Sequence, residues 1–231
     1  MNWAKSFAAS IHLKGWAMTG PVIEPATLCS IITSLATESN THLRGGMRNL
    51  LDLPWVCELA RSTPVREAAS SVLGLDCFAV RGLFFDKSVD ANWRVPWHQD
   101  LTVAVREKHE VEGFGPWSIK ANVHHVQAPE ILLTHMLAVR IHLDDCGPNN
   151  GPLRLIPNSH SIGILSPASI EKCVTDREPE VGVAEAGSIL GFRPLLLHAS
   201  SSASEPCHRR VIHLEFAAFT LPGGLEWRWR V

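Results

Sequence analysis

Two histidines and one aspartate have the types and the spacing of ligands to a single metal ion. His98 and Asp100 lie two residues apart in the segment WHQD, so on a β-strand both side chains point to the same face. A second histidine, His198, lies 98 residues after Asp100 (198 − 100) and follows an apolar run at 195–197. Two imidazoles and one carboxylate bind one face of an octahedral ion and leave three positions open, as in non-haem Fe(II) oxygenases.

The HxD pair has a simpler interpretation when it is taken alone. In a chain with 12 histidines, such a pair arises easily by chance. His98 then packs beside Trp97, and Asp100 caps a turn. On the pair alone, this structural interpretation and metal ligation have equal weight.

Arg209 favours the metal site. It follows His198 by 11 residues (209 − 198), at the start of the apolar run 211–219. Two antiparallel strands joined by the polar loop 200–208 would place Arg209 beside the metal. A guanidinium group there binds a carboxylate through two parallel hydrogen bonds, as a dicarboxylate co-substrate requires. Ser200, two residues after His198, is predicted to donate to the same carboxylate.

The segments that carry these residues resemble the phytanoyl-CoA dioxygenase family of Fe(II)- and 2-oxoglutarate-dependent oxygenases. The resemblance extends from about residue 81 to residue 219. It rests on FFDKSVDANWRVPWHQD (84–100), RIHLDDCGPNNGPLRLIPNSH (140–160), EAGSILGF (185–192), and LLHASS (196–201) with the arginine pair at 209–210. It implies a jelly-roll fold, iron on His98, Asp100 and His198, and the distal carboxylate of 2-oxoglutarate on Arg209 with Ser200.

The resemblance implies an enzyme whose cofactors are Fe(II), 2-oxoglutarate and O2. The implied reaction is hydroxylation of an unactivated C–H bond in a small molecule, while 2-oxoglutarate is decarboxylated to succinate and CO2. Asp100 argues against a halogenase, where a small residue at this position leaves room for chloride. Desaturation or ring formation in natural-product biosynthesis, and epimerisation, use the same ligands and stay open. Two rivals are a non-catalytic jelly-roll module that binds metal or ligand, and a zinc enzyme, which would not need Arg209.

Arg140 departs from the family pattern, because many members have tryptophan at this position. A charge that faces the interior of a barrel is costly unless it is paired. Arg140 is therefore predicted either to bind a carboxylate of the substrate or to pair with Asp144 or a glutamate. Together with the nearly neutral chain, it favours a small-molecule substrate that carries a carboxylate.

The remaining candidates have weaker support from the sequence. Gln127 is predicted to bond the co-substrate or the substrate, with a surface loop as an equal alternative. A further set is predicted to border the substrate pocket, with core or solvated loop positions as the alternative: Trp117, Lys87 and Asn92.

The elements that must position these residues are predicted to be mainly β-strands. Helices are predicted at 25–38 and at 65–73, the second ending near Gly74. Short apolar runs at 77–85, 131–143 and 211–219 are separated by Gly, Pro and Asn, as in a β-sandwich or barrel. The segment 100–131 is predicted to be a long functional loop, and 144–151 a turn between strands.

These elements predict one domain over residues 1–231, with a mostly helical flank at 1–75 and a β core at 76–220. The fold class is mainly β, a double-stranded β-helix (jelly roll) with N-terminal and flanking α-helices. The helices are expected to cover one sheet and to leave the mouth of the barrel open for a ligand.

Composition restricts the partners and the location. The 231 residues are 45% hydrophobic, and the formal net charge is −2. This balance gives no electrostatic reason to expect nucleic acid or an anionic membrane as a partner. Six scattered cysteines without a CxxC pair, and a start at 1–10 unlike a signal peptide, predict reduced thiols and a cytoplasmic location. The sequence gives no oligomeric state.

Overall fold

The computed structural model describes residues 3–38 and 46–231. Within these residues the helices flank a set of antiparallel sheets, so the predicted mainly β architecture is confirmed. The helices are α1 (Trp3–Lys14), α2 (Pro25–Thr37), α3 (Pro54–Arg61), α4 (Thr63–Leu73), α5 (Glu130–Leu133) and α6 (Pro167–Asp176), with short 3-10 turns at Leu50–Asp52 and Ser159–Ile162. None of the helices in the described ranges is long and apolar enough to cross a membrane.

The largest sheet has five strands in the order β1-β10-β7-β12-β2. Its strands are β1 (Trp16–Pro21), β2 (Phe78–Lys87), β7 (Met136–His142), β10 (Ser188–Phe192) and β12 (Arg209–Ala217). A four-stranded sheet has the order β3-β11-β8-β9, with β3 (Val95–His98), β8 (Leu153–Leu155), β9 (Glu180–Gly182) and β11 (His198–Ser200). A three-stranded sheet has the order β4-β6-β5, with β4 (Thr102–Val105), β5 (Trp117–Lys120) and β6 (Val123–Gln127).

The five-stranded sheet buries different residues on its two faces because side chains alternate along each strand. On the outer face of β12, Ile212, Leu214 and Phe216 join an apolar core that also contains buried residues of α1, α2, α3 and α4. The inner face has its own apolar cluster, to which the four-stranded sheet contributes Leu153 and Leu155. The barrel interior therefore lies between these two sheets.

Two helices begin or end where the sequence predicts. α2 starts at Pro25, whose fixed φ suits a first turn, and buries three apolar residues on one face: Leu28, Ile31 and Leu35. α4 ends at Leu73 and is capped by Gly74, which has a positive φ of 92°. Both predictions are confirmed. The flank also contains α1 and the strand β1, which completes an edge of the large sheet; its residues 1–2 and 39–45 lie outside the described residues. The single-domain assignment stays a prediction.

The segment 100–131 is not the long loop that the sequence predicts. It contains β4, β5 and β6, which form the three-stranded sheet. β5 and β6 pair as a hairpin whose turn residues, Ala121 and Asn122, both have positive φ (48° and 60°). This geometry is that of a two-residue turn which usually carries Asn-Gly. Because Ala-Asn lacks the glycine, the sequence pattern gave no hairpin signal.

Two other predictions about strands were wrong. The run at 131–143 does not begin as a strand, since its first residues belong to α5 and the strand β7 starts only at Met136. The strands that carry His198 and Arg209 do not form a hairpin. β11 pairs with β3 and β8, whereas β12 pairs with β2 and β7, so the loop 201–208 crosses from one sheet to the other.

We expect Ala121→Gly to stabilise the fold by about 1 kcal/mol, because glycine adopts a positive φ without the steric clash of an L side chain. Ser118→Gly, on the strand β5 of the same hairpin, is the matched control. There we expect a loss of about 0.5–1 kcal/mol, because glycine only adds freedom to the unfolded chain. Urea denaturation of both variants measures the change. Destabilisation by Ala121→Gly would contradict the turn geometry.

Candidate metal centre

The three predicted metal ligands lie together at one end of the barrel interior. His98 ends β3 and lies directly opposite His198, the first residue of β11. Asp100 follows β3, and its backbone N–H donates to the carbonyl oxygen of Pro194 at 2.9 Å. The Asp100 carboxylate oxygens lie 3.9 Å from His98 Nε2 and 3.6 Å from His198 Nε2. One potential ligand atom from each residue lies within 4.8 Å of the others, so a single ion can contact all three.

Backbone carbonyls orient both histidine rings for metal binding. The Nδ1 atom of His98 lies 2.9 Å from the carbonyl oxygen of Pro96, and that of His198 lies 2.8 Å from the carbonyl oxygen of Leu196. A carbonyl oxygen accepts only, so Nδ1 carries the proton and donates to it. Each Nε2 therefore presents a lone pair toward Asp100, as is usual for metal-bound histidines.

The electrostatics of the site favour the protonation states that a metal ion requires. Burial lowers the pKa of His198 to about 3, so the ring is neutral at physiological pH. Burial alone would raise the pKa of Asp100, but the neighbouring rings of His198, His213 and His98 lower it to about 2. A neutral imidazole and an ionised carboxylate bind a divalent cation without first releasing a proton.

Gln99, between the two ligands, points away from them and anchors the segment. Its Nε2 donates to the carbonyl oxygens of Gly163 at 2.8 Å and Leu195 at 2.7 Å. Its Oε1 accepts from the backbone N–H of Leu165 at 2.9 Å. These three bonds fix the backbone on one side, while His98 and Asp100 face the cavity on the other.

A second set of residues has suitable distances for a metal but is committed to other contacts. Asp100, His213 and Glu215 also place ligand atoms within 4.8 Å of one another. The Glu215 carboxylate, however, accepts from the buried guanidinium of Arg81 and contacts His213 Nε2 at 3.3 Å. In the described part of the chain no lysine or arginine forms an ion pair with Asp100, so the set with His98 and His198 fits Fe(II) better.

Three buried cations lie at the other end of the same interior. Lys87 is 1% exposed, Arg209 3% and Arg140 6%. Within the described residues none of the three forms an ion pair with a carboxylate, and the Nε atoms of both arginines have no hydrogen-bond partner. Burial and the charge of Arg209 lower the pKa of Lys87 to about 8 and that of Arg140 to about 9. Unpaired buried cations are costly, and this arrangement fits a bound dianion such as 2-oxoglutarate.

Lys87 and Ser200 are joined at this cationic end. The Lys87 ammonium donates to Ser200 Oγ at 2.9 Å and to the carbonyl oxygen of Ser201 at 2.7 Å. Lys87 lies directly opposite Arg209 on the paired strands β2 and β12, so the two side chains share the inner face. The Arg209 guanidinium donates to the carbonyl oxygen of Gly151. Because Lys87 donates to Ser200, the hydroxyl hydrogen of Ser200 stays available for a ligand.

Arg140 does not form the protein ion pair that the sequence analysis kept as an alternative. Asp144 is bonded instead to Arg210, at 2.6 Å and 2.9 Å, and Glu215 to Arg81. Arg140 contacts His213 Nδ1 at 3.4 Å, and its guanidinium lies 5.4 Å from the ring centroid of Phe85. Its charge is therefore available to a ligand.

A cavity of about 170 Å³ joins the two ends of the site. The predicted residues on its wall are His98, Asp100, His198, Ser200, Arg209 and Arg140. Gln127 and Trp117 lie in the three-stranded sheet and are not on this wall. Asn92 instead lines a neighbouring cavity of about 600 Å³, and its side-chain amide holds the backbone of Ala203 at 2.7 and 2.9 Å.

Several wall residues were missed in the sequence analysis. Leu83, Phe85 and Trp93 lie between the two cavities and line both. His213, four residues after Arg209 on β12, lines the cavity of about 170 Å³ that holds the candidate metal ligands. A period of two from Arg209 along β12, or from Lys87 back along β2, would have found most of them.

A family model described as Phytanoyl-CoA dioxygenase (PhyH) matches residues 48–211, which is 164 of the 231 residues (211 − 48 + 1). The match confirms the family that the sequence motifs predicted. Comparison with curated proteins finds no match.

Solved structures share the fold over nearly the whole chain. EctD from S. alaskensis in its apoform has a TM-score of 0.69 at 15% identity, covering 94% of this chain and 79% of that chain. AviO1 from Streptomyces viridochromogenes Tue57 has a TM-score of 0.67 at 19% identity, covering 94% and 96%. SnoN, an alpha ketoglutarate dependent epimerase from nogalamycin biosynthesis, has 0.69 at 14%, covering 94% and 84%. These similarities confirm the jelly-roll fold. Because the family model covers most of the chain, this protein belongs to the phytanoyl-CoA dioxygenase family and is an oxygenase that uses Fe(II), 2-oxoglutarate and O2.

Proposed function

We propose that the protein hydroxylates an unactivated C–H bond of a small molecule, with iron held by His98, Asp100 and His198. The observation that carries this proposal is one cavity with a metal-type ligand set at one end and buried, unpaired cations at the other. Structures of the similar EctD contain bound Fe in one case, and 2-oxoglutarate with 5-hydroxyectoine in another. A divalent metal and a dicarboxylate are the partners that the two ends fit.

The iron, with 2-oxoglutarate and O2, supplies an oxidation in which the co-substrate becomes succinate and CO2 and one oxygen atom enters the substrate. The protein supplies ligands and orientation. The carbonyl oxygens of Pro96 and Leu196 keep the protons of the two histidines on Nδ1. The Asp100 carboxylate would offset one of the two charges of the metal and would occupy the ligand position that a halogenase leaves open for chloride.

We assign the distal carboxylate of 2-oxoglutarate to Arg209 and Ser200. The guanidinium of Arg209 offers paired N–H groups that can donate two hydrogen bonds to a carboxylate. Arg209 is buried, so water is excluded from this site. Lys87 acts through Ser200, because its bond to Oγ turns the hydroxyl hydrogen toward the ligand and its charge adds to the attraction. Gln127 and Trp117 do not line the cavity, so their roles in binding the co-substrate or the substrate stay predictions.

The substrate is proposed to bind in the neighbouring cavity of about 600 Å³, which borders the metal cavity at Leu83, Phe85 and Trp93. These walls suit an apolar portion beside the metal. Arg140 has no carboxylate partner in the described part of the chain, which supports a carboxylate on the substrate. Asn92 is proposed to keep this wall in place through the backbone of Ala203.

Desaturation and ring formation would use the same residues and also release succinate, so they differ only in the product. A non-catalytic module would bind metal and ligand but release no succinate.

All six cysteines are free thiols. This supports a cytoplasmic location, where thiols stay reduced.

The proposed reaction is tested by succinate release from 2-oxoglutarate with Fe(II), ascorbate and air. We expect release from the wild-type protein even without substrate, and an increase when a pool of carboxylic-acid metabolites contains the substrate. Single substitution of His98, Asp100 or His198 by alanine should lower the rate by more than about 100-fold, because loss of an outer contact alone costs 10–100-fold.

His124→Ala is the matched control for these variants. His124 is a half-buried histidine of β6 that does not line the cavity, so its loss should leave succinate release unchanged. Wild-type release no greater than that of His98→Ala would refute the oxygenase reaction at this site.

Lys87 makes binding of 2-oxoglutarate dependent on pH. Its pKa is lowered to about 8, so it loses its charge as the pH rises through this value. The carboxylates of 2-oxoglutarate stay ionised over this range. If the charged form alone binds, the dissociation constant rises about tenfold between pH 7 and pH 9.

Anaerobic calorimetry with Mn(II) in place of Fe(II) measures this dependence, and Lys87→Met is the comparison. The variant should bind 2-oxoglutarate weakly at pH 7 and should show little further change at pH 9. An equally steep dependence in Lys87→Met would show that another group is responsible.

A further inference from the structure

His142 is a buried histidine to which the proposed reaction gives no role. It lies on β7 two residues after Arg140, so both side chains point to the inner face of the large sheet. Its exposed fraction is 3%, and among the described residues neither ring nitrogen has a hydrogen-bond partner. A buried imidazole with two unpaired nitrogens is destabilising unless a ligand satisfies it.

The strand register places His142 at the cationic end of the interior. It lies directly opposite Val211 on β12, and Arg209 is two residues along that strand on the same face. Burial, followed by the charges of Arg140 and Arg209, lowers the pKa of His142 to about 3. The ring is therefore neutral, with one N–H that donates and one nitrogen that accepts.

The neighbouring residues leave the N–H of this ring without an acceptor. Arginine and lysine side chains donate only, so Arg140, Arg209 and Lys87 cannot accept its proton. A ligand carboxylate has two oxygens with about four acceptor sites, more than Arg209 and Ser200 together occupy. One ligand carboxylate could therefore accept the hydrogen bond from His142 and also balance the charge of the cations.

We propose that His142 donates a hydrogen bond to the distal carboxylate of 2-oxoglutarate, as a third contact beside Arg209 and Ser200. This inference rests on the proposed function and extends it to a residue for which the sequence predicted no role. His142 acts on co-substrate affinity and does not touch the metal, because it belongs to neither group of possible ligands among the described residues.

The test compares three variants by anaerobic calorimetry of 2-oxoglutarate binding to the Mn(II)-loaded protein. His142→Leu fills the space but has no N–H, and we expect about tenfold weaker binding, as for a lost bond to a charged group. His142→Gln restores a donor and should bind within about threefold of wild type. His160→Leu is the control, since His160 also has an unpartnered ring nitrogen but lies in the 3-10 turn Ser159–Ile162, outside the large sheet that carries the cations.

Kinetics give a second readout. His142→Leu should raise the KM for 2-oxoglutarate by a similar factor, with kcat at saturation unchanged and Mn(II) affinity unchanged. Equal affinity of the Leu variant and wild type, or equal affinity of the Leu and Gln variants, overturns the role of His142 alone. Absence of binding to the wild-type protein overturns the proposed co-substrate site as well.

Discussion

Three buried cations, which have no carboxylate partner within residues 3–38 and 46–231, constrain the whole interior of the barrel. Lys87, Arg140 and Arg209 lie on the inner face of one sheet, where burial and mutual repulsion lower the pKa of Lys87 and Arg140. Nearby carboxylates are engaged elsewhere: Glu215 bonds Arg81 and Asp144 bonds Arg210. The charge is therefore placed for a ligand, and a dicarboxylate balances it where a neutral metabolite would not.

The positions of the candidate metal ligands also depend on which face of a β-strand each side chain points to. Neighbouring strands from the four-stranded sheet present His98 and His198 across from each other, and backbone carbonyls set the proton on each ring. The large sheet presents the cations. The two ends line one cavity between these sheets, and Phe85 and Trp93 lie between it and the neighbouring cavity.

The grouping of His98, Asp100 and His198 with Arg209 at one cavity was predictable because their types and spacing are rare in combination. Sequence spacing did not give the sheet pairing: His198 and Arg209 line one cavity from different sheets and do not lie on a hairpin. The hairpin at Ala121 was missed because its turn has no glycine, and β1 because a lone edge strand carries little pattern. His142 was missed because only its burial, which depends on long-range packing, distinguishes it from other histidines.

The central claim is that Arg209 and Lys87, with Ser200, recognise the distal carboxylate of the co-substrate. The most direct measurement compares 2-oxoglutarate with 2-oxopentanoate, which has the same chain length but lacks that carboxylate, as stabilisers of the Mn(II)-loaded protein. At about one hundred times its dissociation constant, 2-oxoglutarate should raise the melting temperature by roughly 5–10 °C. At the same concentration 2-oxopentanoate should leave it nearly unchanged. Equal shifts for the two compounds would contradict the account.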